Sequence, residues 1–289
     1  HLPVPVIVIG NITVGGTGKT PLILWLVTFF MNRGILVGVI SRGYGRRTHG
    51  VVLVKPEMSF RDCGDEPWLI YQKTGCPVAV GEDRVAAAKV LLHAYPHVQI
   101  ILSDDGMQHY RLFRDIEVLV VDGKRRFGNN LLLPAGPLRE LSSRVTSVDA
   151  VVVNGRQAYI LHDKTYCMQL VGDMFYNLAQ PSQYCGVEQF KGKTIHAVAG
   201  IGNPQRFFDA LMEKGLNIIP HIYPDHYEYQ SEDLGQLEGE ILMTEKDAVK
   251  CQHFAQDRFW VFPVRVSIDE EFGLFILEKT RTLYGSKAD

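Results

Sequence analysis

The chain has 289 residues, 46% of them apolar and 21% charged, and a formal net charge of −2. That length suggests about two domains, and an ordinary globular composition supplies enough core to need no disulfide or metal staple. The near-neutral charge excludes a general polyanion binder, so no nucleic-acid partner is expected. The five scattered cysteines, with no C-x-x-C pair, argue against a disulfide framework or a zinc site and fit a reducing compartment.

The chain opens at His1-Leu2-Pro3, without Met and almost directly on an apolar run at residues 4–9. A further N-terminal segment is therefore expected ahead of it. After that run comes Thr13-Val14-Gly15-Gly16-Thr17-Gly18-Lys19-Thr20, followed by a strongly apolar helical stretch at 21–33. Strand, glycine-rich turn and helix form the context in which a phosphate-binding loop works. The backbone N–H groups of such a turn and the helix N-terminus converge on one anion site. Lys19 reaches the outer phosphates, and the Thr20 hydroxyl is a ligand for Mg²⁺. The usual spacing places glycine where this chain has Thr13. No segment reaches the roughly 18–20 continuous apolar residues that a membrane-spanning helix needs, and the stretch after Lys19 reads as a buried helix.

Further β-rich runs lie at 36–40, 51–54, 98–102, 117–121 and 150–153, with helical stretches at 66–73 and 84–94. Strands alternating with helices predict an α/β fold, a P-loop NTPase-like, mostly parallel sheet flanked by helices. From about Gln157 the pattern changes. Residues 166–171 alternate like a ribbon, and Tyr184-Cys185-Gly186-Val187 reads as a linker. A smaller C-terminal α/β domain follows, with strands at 194–199, 241–244 and 259–266 and a helix at 204–214. The expected domains are 1–180 and 181–289.

Ligands bind beyond the carboxyl ends of strands in such sheets. The run at 98–102 leads to Ser103-Asp104-Asp105, where a P-loop enzyme needs an acid to hold Mg²⁺. Asp104 is the metal candidate and Asp105 its neighbour, suited to orienting water or substrate. Gln108 and His109 follow on the same turn. Gly64-Asp65-Glu66-Pro67 reads, by itself, as a helix start with acids in the first turn. Arg42, Tyr44, Arg46 and Arg47 share a glycine-containing turn that reads equally as a phosphate or sugar contact and as a solvated basic loop.

Taken as an ordered set, these pieces resemble the tetraacyldisaccharide 4′-kinase family, the lipid A 4′-kinases of Gram-negative bacteria. The matching residues are Val14-Gly15-Gly16-Thr17-Gly18-Lys19-Thr20-Pro21, Ser41-Arg42-Gly43-Tyr44-Gly45, Gly64-Asp65-Glu66-Pro67, Asp104-Asp105-Gly106-Met107-Gln108-His109 and Pro134-Ala135-Gly136-Pro137-Leu138-Arg139-Glu140. The second half adds Gly200-Ile201-Gly202-Asn203-Pro204, Asp225-His226-Tyr227 and Thr244-Glu245-Lys246-Asp247-Ala248.

The resemblance implies an ATP- and Mg²⁺-dependent transfer of the γ-phosphoryl group to the 4′-hydroxyl of a tetraacylated glucosamine disaccharide 1-phosphate. It also implies a second domain that closes over a cleft, and a peripheral position on the cytoplasmic face of the inner membrane. The membrane contact would lie in a segment absent from this chain, and no protein partner is expected. Residues 13–20 would bind the nucleotide, with Thr20 and Asp104 on the metal. Lys19, Asp65, Asp105 and His226 would be catalytic, Asp65 acting on the acceptor hydroxyl and His226 paired with it. Arg42, Tyr44, Arg46, Gln108, His109 and Arg139 would contact substrate. A different class of P-loop protein, the partition-type or metallochaperone-type switch, carries a lysine where this chain has Val14.

Overall fold

The computed structural model of the chain describes residues 1–155 and 161–285. It comprises two compact units, one of His1–Leu170 with Val266–Asp289, the other of Val171–Arg265. This differs from the expected division into 1–180 and 181–289: the second unit starts earlier, and the chain returns to the first from Val266. Gln157, where the sequence pattern changes, lies outside the described residues.

The first unit is built on strands β1 (Val6–Gly10), β2 (Val37–Ser41), β3 (Val52–Leu53), β4 (Val78–Val80), β5 (Ile100–Asp104), β6 (Ile116–Asp122), β7 (Ala150–Asn154) and β8 (Thr165–Val171). Its helices are α1 (Lys19–Met31), α2 (Phe60–Cys63), α3 (Asp65–Thr74) and α4 (Arg84–Ala94). Every residue of β1, β2, β5, β6 and β7 is buried, which is why these strands read as unbroken apolar runs. β1 lies between β5 and β6, parallel to both, with Ile9 opposite Asp104 and Val118. The loops leaving these three strands therefore emerge together, at the edge where α/β sheets bind ligands. Helix α1 covers the sheet through Leu22, Ile23, Leu26, Val27 and Phe30, all fully buried. Burial on this scale contributes roughly 1.5–3 kcal/mol per side chain.

The second unit contains β9 (Phe175–Asn177), β10 (Tyr184–Cys185), β11 (Ile195–Ala199), β12 (Ile218–Ile222), β13 (Glu240–Thr244) and β14 (Phe259–Phe262), with α5 (Pro204–Glu213), α6 (Ser231–Gly235) and α7 (Glu245–Cys251). The sheet order is β10-β9-β14-β13-β11-β12. Its four strands β12, β11, β13 and β14 are parallel, and β9 and β10 add antiparallel pairs. Two final elements, β15 (Arg265–Ile268) and α8 (Glu270–Gly285), complete the chain. β15 extends the first sheet, which runs β15-β8-β7-β6-β1-β5-β2-β4-β3. α8 packs on α1, with the Phe272 ring 5.9 Å from that of Trp25.

Three expected features differ from those found. The alternating ribbon at 166–171 is β8, a strand parallel to β7. The linker at 184–187 begins with β10, paired to β9. The run at 259–266 is two strands in two sheets, because Pro263 between them has no N–H to continue a ladder.

Candidate active site

The glycine-rich turn after β1 uses left-handed backbone at Gly15 (φ 88°) and Gly18 (φ 99°). A Cβ at Gly18 would stand 2.4 Å from Asn154 Nδ2, so only glycine fits. Gly18 begins α1 with no side-chain cap and no acid in the first turn. The first N–H groups of the helix are thus kept for an anion.

The turn's carbonyls are tied to the protein. Asn11 Nδ2 donates to Thr13 O (2.8 Å) and Gly15 O (3.4 Å), Arg125 to Gly16 O (2.6 Å), and Asn154 Nδ2 to Thr17 O (2.8 Å). A trans peptide points its N–H opposite to its C=O, so these bonds turn the N–H groups of Gly16, Thr17 and Gly18 the other way. Val14 N donates to Pro137 O (2.9 Å) and Arg139 N to Ile12 O (2.7 Å), which docks the 134–140 segment along the turn.

Lys19 opens α1, and its ammonium is 3.5 Å from Asp105 Oδ1. Arg139 donates to Asp105 Oδ2 (3.0 Å) and to Gln108 Oε1 (3.4 Å). Gln108 in turn donates to Asn11 O (3.1 Å) and Glu140 Oε1 (2.6 Å). Four expected site residues, Lys19, Asp105, Gln108 and Arg139, are thus one connected network. Burial works against the Asp105 charge, but the Lys19 and Arg139 cations outweigh it and hold the carboxyl below its ordinary range. Asp105 also has φ 49°, a left-handed conformation that a non-glycine residue rarely adopts.

Asp104 is 1% exposed and accepts a hydrogen bond from Ser41 Oγ (3.2 Å). Burial pushes its carboxyl up to about 7, and the Glu66 and Asp105 charges push the same way against Lys19. Such a desolvated carboxylate is an oxygen donor of the kind that suits Mg²⁺, and a cation there would offset the cost of its charge.

The Arg42–Arg47 turn sits against the start of α3. Gly43 and Gly64 meet backbone to backbone: a Cβ on Gly64 would lie 3.0 Å from Gly43 Cα. This close approach places Asp65, 5% exposed, in the first turn of α3 next to the basic turn. Arg46 donates to the carbonyls of Val80 (3.3 Å) and Gly50 (2.6 Å), so its guanidinium holds the turn together. Arg42 and Tyr44 are exposed. His109 lies apart from the Lys19 network, with Nε2 3.9 Å from Asp83 Oδ1; burial and the Arg84 charge lower its pKa.

In the second unit, His226 has φ 62°. Its N–H donates to Asp225 Oδ1 (3.0 Å), and its Nε2 is 3.7 Å from Asp225 Oδ2. Lys246 donates to Asp225 Oδ1 (3.1 Å). Behind this loop lies a buried network. Asp247 Oδ1 accepts from Lys250 (2.9 Å), Tyr229 OH (3.1 Å) and Gly200 N (3.1 Å), and its Oδ2 from Thr244 Oγ1 (2.7 Å).

The sequence reading missed three residues here. Arg84 is buried among the charges of Asp104, Asp105 and Arg42. Its signal was the turn after β4, a strand too short to stand out. Arg125 and Asn154 hold the carbonyls of the turn; Arg125 follows β6 and Asn154 is the last residue of β7, where strand-end polar residues are the available cue.

Residues 1–281 match the family described as Tetraacyldisaccharide-1-P 4′-kinase. A tetraacyldisaccharide 4′-kinase of Azoarcus sp. is 49% identical over 283 residues, covering 96% of this chain and 83% of its own. One from Methylobacillus flagellatus is 46% identical over 283 residues, with 98% and 84% covered. Among solved structures, the "apo" form of LpxK from Aquifex aeolicus in complex with ATP is similar, with a TM-score of 0.77 and 28% identity over 96% of this chain and 89% of that one.

Proposed function

The chain belongs to the tetraacyldisaccharide-1-P 4′-kinase family, and we infer that it transfers the γ-phosphoryl group of ATP to the 4′-hydroxyl of a tetraacylated glucosamine disaccharide 1-phosphate, a step of lipid A synthesis. The observation that carries this reading is the turn at 13–20, whose carbonyls are bonded to the protein while Lys19 is held against Asp105. That arrangement serves a phosphate donor. The partition-type switch has no support, since family membership and Val14 both speak against it.

Phosphoryl transfer asks chiefly for positioning and charge neutralisation. In this reading the N–H groups of residues 15–18 and the start of α1 bind the phosphates, and Lys19 neutralises the outer ones. Thr20 and Asp104 would hold Mg²⁺, which would supply further neutralisation of the phosphate charge. Asp105 and Arg139 orient Lys19. Asp65 accepts the proton of the acceptor hydroxyl, a role typically worth about 10²–10⁴-fold. We assign His226 to assist it. Its left-handed backbone, with the imidazole 3.7 Å from the Asp225 carboxylate, supports a functional rather than a structural role. The exposed Arg42 and Tyr44, on the turn beside Asp65, are assigned to the acceptor, as is His109.

No helix among the described residues is long and apolar enough to cross a membrane. With a lipid-linked acceptor, we place the chain peripherally on the cytoplasmic face of the bacterial inner membrane. Incubation with ATP, Mg²⁺ and the disaccharide 1-phosphate, followed by mass spectrometry and phosphorus NMR, tests the function. One new phosphomonoester at the 4′ position is expected; an unchanged lipid, or phosphate at another hydroxyl, contradicts it.

A further inference from the structure

Three consecutive leucines, Leu131, Leu132 and Leu133, are 51%, 42% and 53% exposed. They are not on a loose loop. Leu133 N donates to Leu138 O (2.9 Å), Gly136 N to Leu132 O (3.0 Å) and Leu138 N to Leu131 O (3.1 Å). Phe127, at the base, packs on the core of the first unit. The fold therefore holds three large apolar side chains in water, where soluble surfaces keep such groups scattered. Cations predominate along this segment, although Arg125 pairs with Asp122 and Arg139 with Asp105. From Lys124 to Arg139 the sequence has four cations and no carboxylate, although the whole chain is at −2.

We propose that the tip carrying Leu131, Leu132 and Leu133 is a membrane-docking surface that inserts into an anionic bilayer. Apolar side chains flanked by Lys and Arg are the chemistry of interfacial binding. The leucines enter the headgroup–acyl boundary, and the exposed Lys124 and Arg126 meet the negative surface potential. The proposal rests on the reading of the acceptor as a lipid. The tip is rigidly joined to the phosphate-binding turn through the bonds Val14 N to Pro137 O and Arg139 N to Ile12 O. Docking the tip would thus hold the phosphoryl donor at the depth where an acylated sugar presents its headgroup.

The test is co-sedimentation of the chain with vesicles, without ATP or disaccharide, so that its result is independent of kinase activity. Binding to phosphatidylglycerol-containing vesicles is expected, weakening with salt and on pure phosphatidylcholine. The double variant Leu131→Asp, Leu133→Asp should bind at least about tenfold more weakly at an unchanged thermal midpoint, and should keep its transfer rate on disaccharide in detergent micelles. Tryptophan fluorescence of Leu132→Trp should shift to the blue on adding anionic vesicles. Three results overturn the proposal: no vesicle binding by the parent chain, parental binding by the double aspartate variant, or a parental dimer that the variant abolishes without losing vesicle affinity. Failure of transfer in micelles by the parent would instead count against the kinase reading alone.

Discussion

The Lys19 ammonium lies 3.5 Å from Asp105 Oδ1, while Arg139 bonds the other oxygen of the same carboxylate at 3.0 Å. One acid thus positions the P-loop lysine and ties it to the segment that carries Pro137. Asp105→Asn should lower kcat by roughly 10–100-fold, and Lys19→Ala by at least about 10³-fold, because a donor aimed at developing charge is lost. Steady-state kinetics with circular dichroism checks this. Full activity in folded Lys19→Ala would remove the P-loop assignment.

Asp104 carries a pH signature. Burial, then the Glu66 and Asp105 charges, raise its carboxyl to about 7. A carboxyl with a higher pKa folded than unfolded stabilises fully below its ordinary value, and that contribution is lost as pH rises through the folded value. Without Mg²⁺, thermal stability attributable to this residue should therefore fall between about pH 4 and pH 7. Mg²⁺ affinity should run the opposite way, rising until the carboxyl is ionised above about pH 7, with a proton released on binding below that. Titration calorimetry in two buffers measures the proton. Asp104→Asn should abolish both the release and the slope.

Asp65 and His226 are assigned to the acceptor side, so their removal should spare the donor. Asp65→Ala is expected to reduce kcat by about 10²–10⁴-fold with ATP affinity unchanged, and His226→Ala to act in the same direction. Equilibrium nucleotide binding separates the two effects. A variant of Asp65 that only weakens ATP binding contradicts the assignment.

Much of the first unit was legible because strands buried on both faces leave continuous apolar runs, as at β5 and β6. The acids that end β5 and follow it, Asp104 and Asp105, marked the site. What stayed hidden was either short or non-local. β4 has three residues, too few to show a period. β12 contains Pro220, which demotes a run in any sequence reading, yet it lies at the sheet edge where a missing N–H is tolerated. The return of the chain at Val266 depends on α8 meeting α1, a contact that no local pattern announces. Arg84 was invisible as a site residue because its neighbours Asp104 and Asp105 come from a different strand end. Thr244-Glu245-Lys246-Asp247 entered the sequence reading through the resemblance; in the fold Asp247 is fully buried and bonded to Lys250, Tyr229, Thr244 and Gly200.

That buried network yields a stability prediction. Lys250 and Asp247 are 1% and 0% exposed and 2.9 Å apart. Removing one partner strands the other charge, so Lys250→Ala should destabilise the second unit by about 3–5 kcal/mol. Asp247→Asn combined with Lys250→Met, which leaves no charge, should cost less than that single change. Denaturant unfolding of the three proteins decides it. Equal stability of Lys250→Ala and parent would mean that the pair does not hold the turn at Gly200.

The central claim is phosphoryl transfer to a sugar hydroxyl, and following the label of γ-labelled ATP tests it most directly. With the tetraacylated disaccharide 1-phosphate present, the label should pass to the lipid at a rate far above its release as inorganic phosphate. With the acceptor omitted, release should remain slow. Label that appears as inorganic phosphate at the same rate with and without the disaccharide, and never on the lipid, would contradict the account.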